Sequence, residues 1–553
     1  MKIEVIQHNP TVGDFEGNLN RILSLDKTNA DIIVIPELAI AGYYPKDLLN
    51  SSDFILGVVS YQEKLVRSLS NDKVLIFGGI RVNGGYVENG AYVCFRSNCY
   101  FVPKLTLPNY GPFDEKRHFS LLDTYNGVFR IGEFSFAVGI CEDMWSIPSE
   151  IFHKTAVSLY VFINASPFEL GKFTRRLEFA RIWSSKGSYV VYANLVGGND
   201  GIIFDGASFV IDPNGEIIML LKPFEEDSGI VSPVFPLVKN KTNDAGNVIS
   251  PISIDYTLSS DMLFDSKVEE YPSYPENIYK AVVLGIRDYV QKSGFRKVII
   301  PVSGGIDSAV GLVLAVEAIG NDNIVAVTMP SHITSSETLN DAIRLAKNLG
   351  VEIIKIPISE MYTVMRNMIL PSTNMRDKFD IADENIQARI RGVIAMYLAN
   401  KINALVLSMG NKSEIAMGYN TLYGDTVGAY APLGDLYKTD VYALARYINR
   451  EKEIIPWTIV NRKPSAELRE NQHDEDTLPP YPKLDRFLID YIERKLPLKV
   501  LYQLYGRSFV DEVVSRIEKM EYKRQQLPPS PKIRSNSFYT DRRYPIVKRN
   551  WWY

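Results

Sequence analysis

Short apolar runs recur along the first 235 residues, at 3–6, 32–35, 74–80, 134–140, 159–163, 189–193 and 207–211, with amphipathic stretches between them. Such runs, bounded by polar segments, predict buried strands, and 3.6-residue periodicity over 16–28 and 172–186 predicts helices. Asp212-Pro213-Asn214-Gly215 reads as a hairpin turn, with Asn-Gly supplying positive φ angles. Many strands with helices between them predict a layered α/β domain. Residues 238–252 are polar and rich in turn formers. A linker over 241–274 is therefore expected between a first domain, 1–240, and a second, 275–553.

Beyond the linker the grammar changes. The pattern predicts helix 275–292, strand 298–302, a glycine loop, helix to 318, strand 324–329, helix 335–349, strand 353–356, helix 384–400 and strand 404–408. Strand, crossover helix and parallel strand in that order describe a doubly wound sheet that binds ligands at the carboxyl ends of its strands.

Composition narrows the class. Of 553 residues, 46% are hydrophobic and 23% charged, an ordinary globular balance that excludes wholesale disorder. A formal charge of −4 argues against a general polyanion binder, although residues 516–553 carry ten Lys or Arg against three Asp or Glu. No run approaches the roughly 18 apolar residues of a membrane span, so a soluble, cytoplasmic protein without membrane or nucleic-acid partners is expected. Cys94, Cys99 and Cys141 are too few for a disulfide framework, and Cys94 and Cys99 are expected in the core. The five histidines lack zinc-type spacing, so any metal should be a carboxylate-bound Mg²⁺ arriving with a nucleotide.

The strand at 298–302 runs into Ser303-Gly304-Gly305-Ile306-Asp307-Ser308 and then a helix. Glycines at a strand-to-helix turn let main-chain N–H groups approach phosphate, and the helix N-terminus adds partial positive charge. The loop lacks the lysine of the kinase-type phosphate loop. It resembles instead the pyrophosphate loop of the N-type ATP pyrophosphatases, which cleave ATP between its α and β phosphates. That resemblance implies ATP contacts for Ser303, Gly304, Gly305, Ile306, Asp307 and Ser308, with Asp307 also on Mg²⁺.

Further strings refine it. Gly410-Asn411-Lys412-Ser413-Glu414, Gly418 to Asp425, Pro432 to Thr439, Glu384 to Arg391 and Pro464-Ser465-Ala466-Glu467-Leu468 resemble signatures of the NAD synthetases. The family's reaction is then implied: ATP adenylates the nicotinate carboxyl of deamido-NAD, and ammonia displaces AMP. The same resemblance implies Glu414 as the second Mg²⁺ carboxylate, and Asn385, Arg389, Glu414, Asp425, Lys438 and Lys532 as dinucleotide contacts. Met409 stands where many members carry a threonine against ATP.

The first domain offers a nitrogen source. Glu37, Lys104 and Cys141 all follow strand-like runs, where a sheet can converge them. Their order and surroundings resemble the nitrilase superfamily, specifically the glutaminase domain fused to NAD synthetases, an α-β-β-α sandwich. A thiol with a reference pKa near 8.5 needs a base and a cation beside it. Glu37 is the expected base, and Lys104 is expected to stabilise the oxyanion and favour the thiolate. By the resemblance Glu115 supports Cys141 and Lys104, while Tyr110, Ser166 and Lys172 hold glutamine. Expected partners are deamido-NAD, ATP as co-substrate, L-glutamine and further copies of the chain. Two other readings fit the motifs: a different glutamine-dependent ATP-pyrophosphatase amidotransferase, and an ammonia-dependent NAD synthetase with an inactive nitrilase-like scaffold.

Overall fold

In a computed structural model, described for all residues except 28–29, 122–124, 146–156, 186, 234–250, 259–266, 374–377, 470–471 and 550–553, the apolar runs become strands of three main sheets. Residue 28 of the first predicted helix, residue 186 of the second and most of the predicted linker lie outside the described residues. The chain divides into two compact units, Met1–Pro272 and Ser273–Tyr553.

In the first unit a six-stranded sheet has the order Asp227–Val231, Ile3–Gln7, Ile32–Ile35, Val74–Asn83, Tyr86–Phe95, Asn98–Pro103. A seven-stranded sheet has the order Ile217–Leu220, Phe209–Ile211, Tyr189–Asn194, Leu159–Asn164, Phe134–Ile140, Val128–Ile131, Ile252–Ser253. One core joins the facing sheets, with Val5, Val34 and Ile76 of the first packed among Val138, Val161 and Val191 of the second. Helices Phe15–Leu25 and Ser52–Leu69 seal the outer face of the first sheet through Leu19, Ile22, Val58 and Leu65. The result is an α-β-β-α sandwich. Its central strands are buried on both faces, which is why they read as continuous apolar runs.

Two expectations are corrected here. In the turn after Phe209–Ile211 only Gly215 takes a positive φ, +84°, while the Asp212 carboxylate accepts the N–H groups of Asn214 and Glu216 at 2.9 Å each. Within the expected linker, the described residues 251–258 and 267–272 make contacts in the first unit. Ile252 and Ser253 pair with Phe129 and Arg130, Tyr256 donates to Asp31 at 2.9 Å, and Tyr271 stacks on Phe173 at 4.0 Å. Finally, Cys94 and Cys99 form a disulfide, with Cys94 buried and Cys99 exposed. Antiparallel register sets them directly opposite, at 4.1 Å between Cα atoms, across a tight turn whose closure the linear sequence did not reveal.

In the second unit four parallel strands have the order Glu352–Lys355, Ile324–Thr328, Lys297–Pro301, Ala404–Val406. The chain winds outward one way from Lys297–Pro301 and then returns to its other side, so a switch point lies at that strand's carboxyl end. Helices Glu276–Lys292, Ile306–Ile319, Ser336–Leu349 and Ile381–Ile402 accompany the sheet. Helices Tyr481–Leu488, Leu498–Tyr505 and Arg507–Lys519 form a separate apolar core with Ala416 and Met417. The basic tail folds against this layer. Arg534 pairs with Asp440 at 2.6 Å, and Arg542 and Lys548 pair with the buried Glu518. Among the described residues, no helix is long and apolar enough to cross a membrane.

Candidate active sites

Glu37 follows Ile32–Ile35, Lys104 follows Asn98–Pro103 and Cys141 follows Phe134–Ile140, so the sandwich collects them from both sheets. Lys104 Nζ donates to Glu37 Oε1 and to Glu115 Oε1, each at 2.7 Å, and all three side chains are fully buried. Glu37 also accepts from Asn89 Nδ2 at 2.8 Å and, through Oε2, from the Ala165 N–H at 3.0 Å. Tyr43 donates to Glu115 at 2.7 Å. Gly78 makes room for this arrangement, because a Cβ there would lie 2.3 Å from the Glu37 Cα. Cys141 has φ of +46°, a strained turn that lifts the thiol out of the strand line.

The electrostatics of the cluster set burial against the charge of Lys104. Burial pushes the Cys141 thiol well up and Glu37 raises it further, while Lys104 pulls it only partly back. Lys104 thus acts in the direction that favours the thiolate, against burial and Glu37. Glu115 is pushed up to about 7 by burial, against the pull of Lys104 and with Glu37 adding to the rise. Burial draws the Lys104 ammonium down, but Glu115 and Glu37 outweigh it and hold it charged.

The expected glutamine contacts take different positions. Tyr110 is exposed and donates to Glu142, the residue after Cys141, at 2.8 Å. Ser166 is buried one residue past the Glu37-bound Ala165, its carbonyl held by Arg176 at 2.8 Å. Lys172 opens the helix Lys172–Ser184 and is half-buried. Asn89 and Tyr43 complete the cluster yet belong to no motif; nothing in their local sequence marks them.

The second site lies at the switch point. Ser303 to Ser308 line a cavity of about 300 Å³ together with Met409, Glu414, Asp425 and Lys438. Ser308 Oγ accepts the Ser303 N–H at 3.2 Å and donates to the Gly305 carbonyl at 3.0 Å, and Ser303 Oγ accepts the Gly305 N–H at 3.1 Å. Gly304 has φ of +84°, and a Cβ there would lie 2.3 Å from the Thr338 carbonyl oxygen. Met409 packs on the helix Ile306–Ile319 where Gly311 leaves space: a Cβ at 311 would meet its sulfur at 2.1 Å.

Lys438 Nζ donates to Asp307 at 2.6 Å and to Glu414 at 3.0 Å, and Asn411 Nδ2 donates to Asp307 at 2.9 Å. Burial pushes Glu414 up to about 8 against the pull of Lys438, with neighbouring Asp307 adding to the rise. Two carboxylates converging on one cationic point are the hard-oxygen donor type that suits a Mg²⁺ retaining several waters. Arg391, at the end of the Glu384–Arg391 string, also lines the cavity, and burial lowers its guanidinium to about 10.

Three expected contacts lie off this cavity. Asn385 accepts from Thr421 Oγ1 at 2.8 Å and Arg389 donates to the Leu422 carbonyl at 3.1 Å, so both tie the helix Ile381–Ile402 to the loop beneath Asp425. Lys532 is buried and donates to Asp541 at 2.8 Å and to the carbonyls of Arg534 and Ser535.

Comparison with known proteins matches each unit separately and the whole chain together. The carbon-nitrogen hydrolase family model matches residues 2–234, and the NAD synthase model matches residues 278–527. The glutamine-dependent NAD(+) synthetase of Aquifex aeolicus is 39% identical, with 99% of each chain covered. That of Thermotoga maritima is 38% identical over the same share of both chains. The structure of the Acinetobacter baumannii enzyme of that name, in complex with ADP, superposes with a TM-score of 0.71 at 34% identity, covering 99% of this chain and 98% of its own.

Proposed function

Because this chain belongs to the glutamine-dependent NAD(+) synthetases, we propose that its two sites divide the family's reaction between amide cleavage at Cys141 and adenylation over the Ser303–Ser308 loop. The overall reaction converts deamido-NAD, ATP and L-glutamine to NAD, AMP, pyrophosphate and glutamate. The observation that carries the division is the fully buried Glu37–Lys104–Glu115 triad beside Cys141, in the same chain as a glycine phosphate loop facing two carboxylates and Lys438.

At the first site Glu37 takes the thiol proton as Cys141 sulfur attacks the glutamine side-chain carbonyl. The Lys104 ammonium faces the oxyanion that develops. Collapse of the tetrahedral intermediate expels ammonia, which receives the proton from Glu37, and leaves a glutamyl thioester. Water, deprotonated by Glu37, then releases glutamate and restores the thiol. Tyr110, Ser166 and Lys172 hold the glutamine backbone groups in this reading.

At the second site the Ser303–Ser308 loop and the N-terminus of the helix Ile306–Ile319 hold the pyrophosphate as the nicotinate carboxylate attacks the α-phosphorus. Lys438 balances charge on the departing group, and Asn385, Arg389, Asp425 and Lys532 act on the dinucleotide side. Asp307 and Glu414 would hold a Mg²⁺, which neutralises phosphate charge when bound. Ammonia then attacks the adenylated carbonyl and AMP leaves. The assignment extends to a cytoplasmic homo-oligomer.

The test is product stoichiometry. Purified chain given deamido-NAD, ATP and Mg²⁺ should form NAD, AMP and pyrophosphate in equal amounts with either glutamine or ammonium. Asp307→Ala should slow both by roughly 10²-fold or more. ADP and phosphate as products, or an unaffected Asp307→Ala variant, would refute the adenylation site.

A further inference from the structure

Lys104 and Cys141 follow strands of different sheets, yet a single carboxylate holds both strand ends. Asp143 Oδ1 accepts from the Thr106 N–H at 2.9 Å and the Leu105 N–H at 3.2 Å. Its Oδ2 accepts from the Ile140 N–H at 3.1 Å and again from Leu105 at 3.3 Å. Leu105 and Thr106 directly follow Lys104, and Ile140 directly precedes Cys141. Asp143 is itself buried, and burial pushes its carboxyl up to about 7 against the pull of these N–H groups and of Lys104. An apolar residue of similar size would remove the acceptor shared by the buried Ile140 N–H and the part-buried Leu105 and Thr106 N–H groups.

We propose that Asp143 is a positioning residue for amide cleavage, a clamp that fixes the separation between the Lys104 ammonium and the Cys141 sulfur. The proposal rests on reading Cys141, Glu37 and Lys104 as the amide-cleaving group. In that chemistry the attacked carbonyl carbon must meet the sulfur while its oxygen meets the ammonium. A misplacement of about 1 Å between two such groups can cost roughly 10²-fold in rate. Asparagine offers one acceptor oxygen and turns an N–H₂ donor toward the other N–H groups, so it releases one side of the clamp. Glutamate keeps both acceptors on a longer stem.

The experiment uses full-length Asp143→Asn and Asp143→Glu, with glutaminase kinetics and ammonium-dependent NAD formation measured in parallel. For Asp143→Asn the expected result is a kcat for glutamine lower by roughly 10²-fold, a glutamine KM within about threefold of wild type and ammonium-dependent turnover within about twofold. Asp143→Glu should recover part of the lost kcat, and it carries the test if the asparagine variant does not fold. An unchanged kcat would overturn the clamp. So would a rise confined to KM, which would make Asp143 a substrate contact, or an equal fall in ammonium-dependent turnover, which would make it a general folding residue. The underlying reading fails separately, if Cys141→Ala retains glutamine-dependent activity.

Discussion

Lys104 brings one positive charge to two buried carboxylates, and that imbalance governs the first site. Burial, with Glu37 adding to it and Lys104 opposing it, raises Glu115 from 4.5 to about 7. The sign for stability follows. Relative to an unfolded chain titrating near 4.5, this group's favourable contribution is complete below that pH and is lost as pH rises through about 7. Activity runs the other way, because protonating Glu115 removes one of the two anchors that aim Lys104. Glutamate release should therefore rise with pH through about 7, and Glu115→Gln should be slower by roughly 10²-fold and lack that limb. A limb unchanged in the variant would assign it to another group.

At the scale of elements, the phosphate loop depends on backbone shape. Gly304 needs both a positive φ and the absence of a Cβ that would strike the Thr338 carbonyl. Gly304→Ala should cost about 1–3 kcal/mol in local strain and weaken ATP binding while leaving glutamate release intact, as equilibrium nucleotide binding and a glutaminase assay would show. Unchanged ATP affinity would remove the loop from the site.

This level also shows what the chain makes legible. The parallel strand Ile32–Ile35 stands out because both faces are buried and every position is apolar, and Phe134–Ile140 nearly matches it, with Ser135 the one polar position. Strand Tyr86–Phe95 does not, since Glu88 and Asn89 interrupt it. Those two are buried only because Arg81 and Glu37, distant in sequence or across a turn, supply partners. Asp307, Glu414 and Lys438, each singled out by a motif string, line one cavity. The same strings could not reveal that Lys532 pairs with Asp541, because an ion pair formed by a returning tail leaves no periodic trace.

For the whole molecule, the account is that one chain holds two chemistries that fail independently. In the proposed division nitrogen is released at Cys141 and consumed at the Ser303–Ser308 loop. The most direct measurement is the rate of NAD formation by Cys141→Ala, supplied with deamido-NAD, ATP and Mg²⁺ and either donor. The account predicts that glutamine-dependent formation falls by about 10³-fold or more while ammonium-dependent formation stays within about twofold of wild type. An equal loss with both donors would contradict it.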